Sequence, residues 1–224
     1  MKITKTFLTK NPCYKAGKTI RVKGLMLHSV GCSQPNAMAF VKSWNTSSTK
    51  VCVHGFIDGN TGEVYQTLPW EYEGWHSGGS LNSTHIGIEM CEPACIKYTS
   101  GSKFTCSDTR MAKEIVERTY ESAVELFAHL CREYGLNPLA EGVILSHSEA
   151  YKKGLASNHG DPEHLWKGLK LPYTMDGFRQ DVKSIMTPTI YRVQVGAFQQ
   201  EQNAKNLLAE LKRAGFDGFI TKNQ

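Results

Sequence analysis

Apolar and polar positions follow two rhythms along this chain, one of strands and one of helices. Residues 20–28 (IRVKGLMLH) turn apolar towards Leu25, Met26 and Leu27 and predict a strand that runs to an internal position and ends at a histidine. Residues 35–44 place Met38, Val41 and Trp44 three apart with Phe40 beside them, which predicts a helix. Strands are expected over 51–57 (VCVHGFI) and 64–68, and the turn chemistry of Asp58-Gly59-Asn60-Thr61-Gly62 between them makes a hairpin. Residues 86–90 read as a short buried strand. The clearest element is a helix from about 108 to 134, with the Ser107 hydroxyl as its N-cap, Met111, Ile115, Leu126 and Leu130 on one face and Gly135 at its end. Residues 143–146 give one more strand, ending at His147. Strands alternating with helices predict an α/β class: a central mixed β-sheet flanked by helices, with functional side chains at strand ends.

Near residue 187 the character of the chain changes. Thr187-Pro188-Thr189 reads as a short linker between a main domain over 1–186 and a segment over 187–224. In that segment 190–198 alternates like a strand, 200–214 carries Ala204, Leu207, Leu208 and Leu211 at helical spacing, and 216–220 begins a second strand. The expected product is a small C-terminal β-α-β element, too small to hold a core alone.

Composition narrows the field. The chain has 224 residues, of which 40% are hydrophobic and 21% charged, an ordinary globular mix that excludes wholesale disorder and fibrous repeats. No run approaches the ~18 apolar residues of a membrane span, so no membrane partner is expected. Residues 1–12 alternate Lys and Thr with apolar positions and show no hydrophobic signal core, so no signal peptide is expected. A net charge of +5 suits attraction to a polyanion, but without a basic run or an aromatic-studded basic motif the expectation is no nucleic acid. Seven cysteines, an odd number, are expected as reduced thiols. Cys91, Cys95 and Cys106 could be read as a metal knuckle, yet they lack the paired short spacings of a structural zinc site.

The histidines carry the chemistry. His28 and His147 both end apolar strands, where an imidazole can point into a cleft while its backbone stays in the sheet. Downstream, Ser157-Asn158-His159-Gly160-Asp161-Pro162-Glu163-His164 offers two imidazoles and two carboxylates on one loop. Two strand-end histidines plus a loop carboxylate make a three-ligand zinc set with the fourth position open to water. Each histidine taken singly reads equally as a capping or core residue. Glu89, between Ile88 and Met90, is a carboxylate in a buried strand, which calls for a salt bridge or a raised pKa used for proton transfer. Trp75-His76-Ser77-Gly78-Gly79 suits either a packed loop or a surface on which a ligand lies flat.

The order LMLHSVG, VCVHGFID, GEVYQTLPWEYEGWHSGG, HIGIEMCE, ILSHSEA, NHGDP resembles the type-2 N-acetylmuramoyl-L-alanine amidase family, whose fold the peptidoglycan recognition proteins share. The match covers roughly residues 20–168. It implies a Zn2+ hydrolase that cleaves the amide between the muramic acid lactyl group and L-alanine of the stem peptide, with bacterial peptidoglycan as partner and an endolysin or autolysin role. An endolysin would stay cytoplasmic until released to the wall. Carried over residue by residue, the resemblance makes His28, His147 and Asp161 the metal ligands and Glu89 the catalytic glutamate. The position two before the third ligand, often Lys in bacterial members, is His159, which is expected either to assist catalysis or to ligate zinc itself in place of Asp161. His54, Trp75, His76 and Gly78 are expected at the substrate, while His164 and His129 are expected to be structural and His85 to cap the strand leading to Glu89.

The segment YRVQVGAFQQEQNAKNLLAELKRAGFDGFI resembles the first half of a SPOR domain, a family that binds glycan strands stripped of stem peptides. Two other classes compete with the amidase: a non-catalytic peptidoglycan recognition module, which the presence of Asp161 and Glu89 disfavours, and a two-carboxylate glycosidase, which would leave the histidines unexplained.

Overall fold

A computed structural model describes residues 1–187 and 193–222, and the chain divides into two units, Met1–Thr187 and Pro188–Gln224. The first is built on a six-stranded sheet of β1 (Ile3–Lys5), β2 (Gly24–Ser29), β3 (Gly55–Ile57), β4 (Val64–Gln66), β5 (His85–Met90) and β8 (Ile144–Ser146), in the order β1-β4-β3-β5-β2-β8. Every neighbouring pair is parallel except the β3–β4 hairpin. A separate two-stranded hairpin, β6 (Ile96–Ser100) with β7 (Lys103–Cys106), follows β5. The helices are α1 (Pro12–Ala16), α2 (Ala37–Trp44), α3 (Thr109–Glu133), α4 (His147–Lys152), α5 (Glu163–Gly168) and α6 (Met175–Met186). This is the mixed α/β architecture expected, with most strands parallel and therefore shielded by helices.

The long helix α3 organises the larger core. Ile115, Val116, Tyr120, Ala123, Val124, Phe127 and Leu130 form its buried stripe and meet Leu25, Leu27, Ile86 and Ile88 of the sheet. Helix α6 packs beside α3 through Phe178, whose ring lies 5.1 Å from that of Phe127 and 5.5 Å from that of Tyr120. Gly135, at φ +64°, lets the chain turn back so that Leu136 donates its N–H to Cys131, closing the helix. At the other end the cap is Asp108, not Ser107: the Asp108 carboxylate accepts from the Met111 N–H, while the Ser107 hydroxyl donates to the Cys95 carbonyl. Met111 is exposed, because the buried stripe begins with the next residue, Ala112, and continues at Ile115, leaving Met111 on the outer side of the helix.

Residues 51–54, expected as strand, form no regular strand: Cys52 makes an isolated antiparallel bridge with Trp75, and the His54 backbone donates to the Gly87 carbonyl and accepts from the Thr67 N–H. His147 is the first residue of α4 rather than the last of a strand, with Ser146 and Glu149 forming a reciprocal capping box ahead of it.

In the second unit α7 (Glu201–Arg213) is present, but among the described residues no strand flanks it. Residues 190–192 of the expected first strand lie outside the described residues; Val193 and Val195, and later Phe216 and Phe219, are exposed coil. A helix satisfies its own backbone hydrogen bonds, whereas a strand needs a neighbour, so among the described residues of this unit a helix stands without strands.

The cap assignment sets the first expected outcome. In urea unfolding, Asp108→Ala loses about 1 kcal/mol, while Ser107→Ala loses markedly less.

Candidate active site

Strands β2 and β5 pair in parallel register, with Met26 opposite Gly87 and His28 opposite Glu89. Successive side chains of a strand face opposite sides of the sheet. Since Leu25, Leu27, Ile86, Ile88 and Met90 are committed to the core under α3, the pleat sends His28, Gly87 and Glu89 to the other face. His147 reaches that face from the first turn of α4. Asp161 reaches it from the loop before α5, and the backbone N–H of Ser29 donates to its Oδ2 at 3.2 Å.

Three donor atoms converge there. His28 Nδ1 lies 3.0 Å from His147 Nδ1 and 3.4 Å from Asp161 Oδ2, and His147 Nδ1 lies 3.7 Å from Asp161 Oδ1. All three side chains are buried, their donor atoms fall within 4.8 Å of one another, and among the described residues no other group of His, Cys, Asp or Glu converges in this way. The knuckle reading of Cys91, Cys95 and Cys106 is thereby set aside: Cys91 is buried and the Cys95 thiol donates to the Asp108 carbonyl. The protonation states also suit a metal. Burial, and then the charge of His28, lowers the His147 pKa to about 4. The Asp161 carboxyl sits below its ordinary value: burial opposes this, but the His28 and His147 imidazoles that face it, with the Ser29 N–H that donates to it, outweigh the burial. Neutral imidazole nitrogens beside a carboxylate are the donor set a divalent cation of the zinc type selects.

Glu89 stands beside this group. Its Oε2 is buried and has no hydrogen-bond partner. Burial, followed by the charges of Asp161 and Glu92, pushes its pKa well above the usual carboxyl value. An orphaned carboxyl oxygen next to three metal-type donors is a group fitted to hold and release a proton. The open side of the site is a cleft of about 910 Å³, whose lining includes Trp75, Gly78 and His159 as well as Trp44, Lys50 and Tyr98, which no sequence motif marks as site residues. One wall is made by two loops tied together: the Ser157 N–H donates to the Ser77 carbonyl at 2.9 Å. A Cβ on Gly78 would come within 2.7 Å of the Ser157 Oγ, so glycine allows the two loops to meet.

The profile of the N-acetylmuramoyl-L-alanine amidase family matches residues 18–164, well over half of the chain. The chain belongs to the N-acetylmuramoyl-L-alanine amidase family. A SPOR domain profile matches residues 177–224. The N-acetylmuramoyl-L-alanine amidase CwlH of Bacillus subtilis (strain 168) is 26% identical over 137 residues, or 59% of this chain and 50% of that protein. The chain thus spans about half the length of this curated relative. Among solved structures, Staphylococcus aureus hydrolase AmiA in complex with its ligand superposes with a TM-score of 0.60 at 17% identity, covering 83% of each chain. The catalytic domain of XlyA superposes with a TM-score of 0.56 at 21% identity, covering 81% of this chain and 99% of that one. These likenesses show the fold.

Within this amidase-family fold, not every histidine expected at the substrate reaches it. His54 is fully buried, donates from Nε2 to the Tyr72 carbonyl at 2.8 Å and accepts from the Gly87 N–H at 3.0 Å on Nδ1. Burial lowers its pKa to about 4, and it lies outside the cleft. His76 does border the cleft, but both of its ring nitrogens are taken by protein: Nδ1 lies 3.0 Å from His28 Nε2, and Nε2 donates to the His85 carbonyl at 3.1 Å. A glycine inside the apolar strand HIGIE was the available signal, since such a glycine marks the close approach of another group.

His159 is exposed, its Nδ1 3.1 Å from the Ser157 Oγ, and the ring lies 4.4 Å from that of His147. Asp161, not His159, completes the convergent triad. His129 is half exposed on α3, paired with Glu133. His85 is the first residue of β5, the strand that carries Glu89, and its Nε2 donates to the Gly142 carbonyl at 2.9 Å.

A second polar cluster adjoins the site. The Tyr98 hydroxyl donates to Glu92 Oε2 at 2.6 Å and lies 2.6 Å from His164 Nε2, and the Gly31 N–H donates to Glu92 Oε1. Tyr98 comes from the β6–β7 hairpin that the sequence pattern did not reveal. Burial pushes the Glu92 pKa up to about 7. The folded state therefore holds this proton more tightly than the unfolded chain. Its contribution to stability is complete below the unfolded value of about 4.3 and is lost as pH rises through about 7. Between pH 4.5 and 8 the parent protein is expected to lose roughly 3 kcal/mol of stability relative to Glu92→Gln. Denaturant midpoints measured for both proteins across that range check it.

Proposed function

We propose that this chain is a zinc-dependent N-acetylmuramoyl-L-alanine amidase, acting on the amide between the lactyl group of N-acetylmuramic acid and L-alanine of the stem peptide in a bacterial wall, as an endolysin or autolysin. The observation that carries the reading is the convergence of His28 Nδ1, His147 Nδ1 and the Asp161 carboxylate within 4.8 Å beside the unpartnered Oε2 of Glu89. His28, His147 and Asp161 would hold the zinc, which when bound supplies Lewis acidity at the scissile carbonyl. Glu89 takes a proton from the attacking water as its oxygen bonds to the carbonyl carbon. It returns a proton to the alanine nitrogen as the C–N bond breaks. His159, on the rim, donates a hydrogen bond to the oxygen that gains charge. Trp75 and the backbone at Gly78 form the part of the wall against which the stem peptide rests. The SPOR match supports a role for the C-terminal segment in holding glycan at the wall.

A recognition module without catalysis shares the fold. The presence of both Asp161 and Glu89 favours the enzyme over it.

Elemental analysis and the release of free amines from purified peptidoglycan test the reading together. About one zinc per chain is expected in the parent, lost in Asp161→Ala and kept in His159→Ala. Glu89→Gln is expected to keep its zinc while amine release falls by roughly 10²- to 10⁴-fold. Loss of zinc with His159→Ala instead would make His159 the third ligand. A parent with neither zinc nor amine release would return the chain to the recognition class.

A further inference from the structure

From the hydrogen-bond chain behind His28 we infer that His76 is a positioning residue: it fixes the tautomer and the ring orientation in which His28 presents a bare Nδ1 to a metal. The inference rests on the metal reading proposed above. It starts from a carbonyl. The His85 carbonyl oxygen can only accept, and His76 Nε2 lies 3.1 Å from it, so the His76 proton is on Nε2. A neutral imidazole has a single N–H, which leaves His76 Nδ1 as an acceptor. That acceptor lies 3.0 Å from His28 Nε2, so the His28 proton is on Nε2. His28 Nδ1 then carries a free lone pair, and it is the atom aimed at His147 and Asp161. Reversing the chain would put a proton on His28 Nδ1 and block it as a ligand, and the His85 carbonyl forbids that reversal.

The ring of His76 is seated to do this. A Cβ on Gly87 would stand 2.5 Å from the His76 ring, and a Cβ on Gly74 2.7 Å from it, so two glycines make the slot in which it lies. Its backbone is clamped as well, because Asn82 Oδ1 accepts from the N–H of both His76 and Ser77. The ring centroids of His28 and His76 lie 5.1 Å apart, with the two ring planes nearly perpendicular at 85°. Partners of this kind behind a metal-binding histidine set its proton position, and their removal costs roughly 10- to 100-fold in metal affinity.

The test uses the full chain. Nitrogen-15 imidazole spectra of the metal-free protein are expected to show His28 protonated on Nε2 and bare on Nδ1. In His76→Phe the His28 signals are expected to shift towards a mixture of tautomers, and zinc affinity, read by competition with a chelating dye, to fall roughly 10- to 100-fold. His76→Gln has an amide oxygen to accept from His28 and an amide N–H to donate to His85, and it is expected to restore most of both readouts. Gly87→Ala, which crowds the ring without removing it, is expected to behave like His76→Phe and serves if that variant does not fold. Equal zinc affinity and an unchanged His28 spectrum in both variants would overturn the inference while leaving the metal site intact. A parent chain that binds no zinc would overturn the metal reading itself.

Discussion

The parallel pairing of β2 with β5 brings His28 and Glu89 to adjacent positions on one face of the sheet. A slip of one residue would turn every side chain of one strand to the wrong side. That slip is opposed by the apolar residues on the opposite face, where Leu25, Leu27, Ile86, Ile88 and Met90 are buried against α3 and its neighbours. Burying a side chain of this size stabilises by about 1.5–3 kcal/mol, so the core under α3 locks the register that the site uses. The long helix supplies none of the converging side chains and lies on the other side of the sheet, yet it determines where the chemistry sits.

Burial has a second effect, on proton positions. The cluster holds His54, His76 and His147 uncharged and Glu89 with its proton strongly favoured, in each case because a charge would be cut off from water. Only Asp161 is held charged, against the same desolvation, because two imidazoles face it. An anionic carboxylate facing imidazole nitrogens is a fixed electrostatic pattern, set before any ligand arrives.

Most of the sheet is legible in the sequence because its strands are short apolar runs, two of which lead into His28 and His147, whereas β1 is too short to stand out. The helix α3 was legible because its stripe is long. Asp108 was passed over as its cap in favour of Ser107, since both residue types cap well and only the structure shows which oxygen faces Met111. The β6–β7 hairpin was missed because its alternation, half exposed on both strands, resembles loop, and with it went Tyr98 and the meaning of Glu92. The triad of His28, His147 and Asp161 was reached through the order of motifs rather than spacing. Spacing does not distinguish Asp161 from His159 two residues away, and their separation depends on how the loop before α5 folds. His54 and His76 sit in the same motifs as residues that line the cleft, but sequence cannot show which histidines have both nitrogens engaged by other groups of the protein.

The link between Ser157 and Ser77 joins the loop that follows Trp75 to the loop that carries His159. Because neither can shift without the other, that side of the cleft behaves as a single stiff jaw. The facing rim, where Trp44, Lys50 and Val51 stand, is pinned as well: the buried Asn11 amide donates to the Trp44 and Val51 carbonyls, and Cys52 and Trp75 exchange backbone hydrogen bonds that join this rim to the jaw. The width of the cleft is therefore set by the fold before anything enters it.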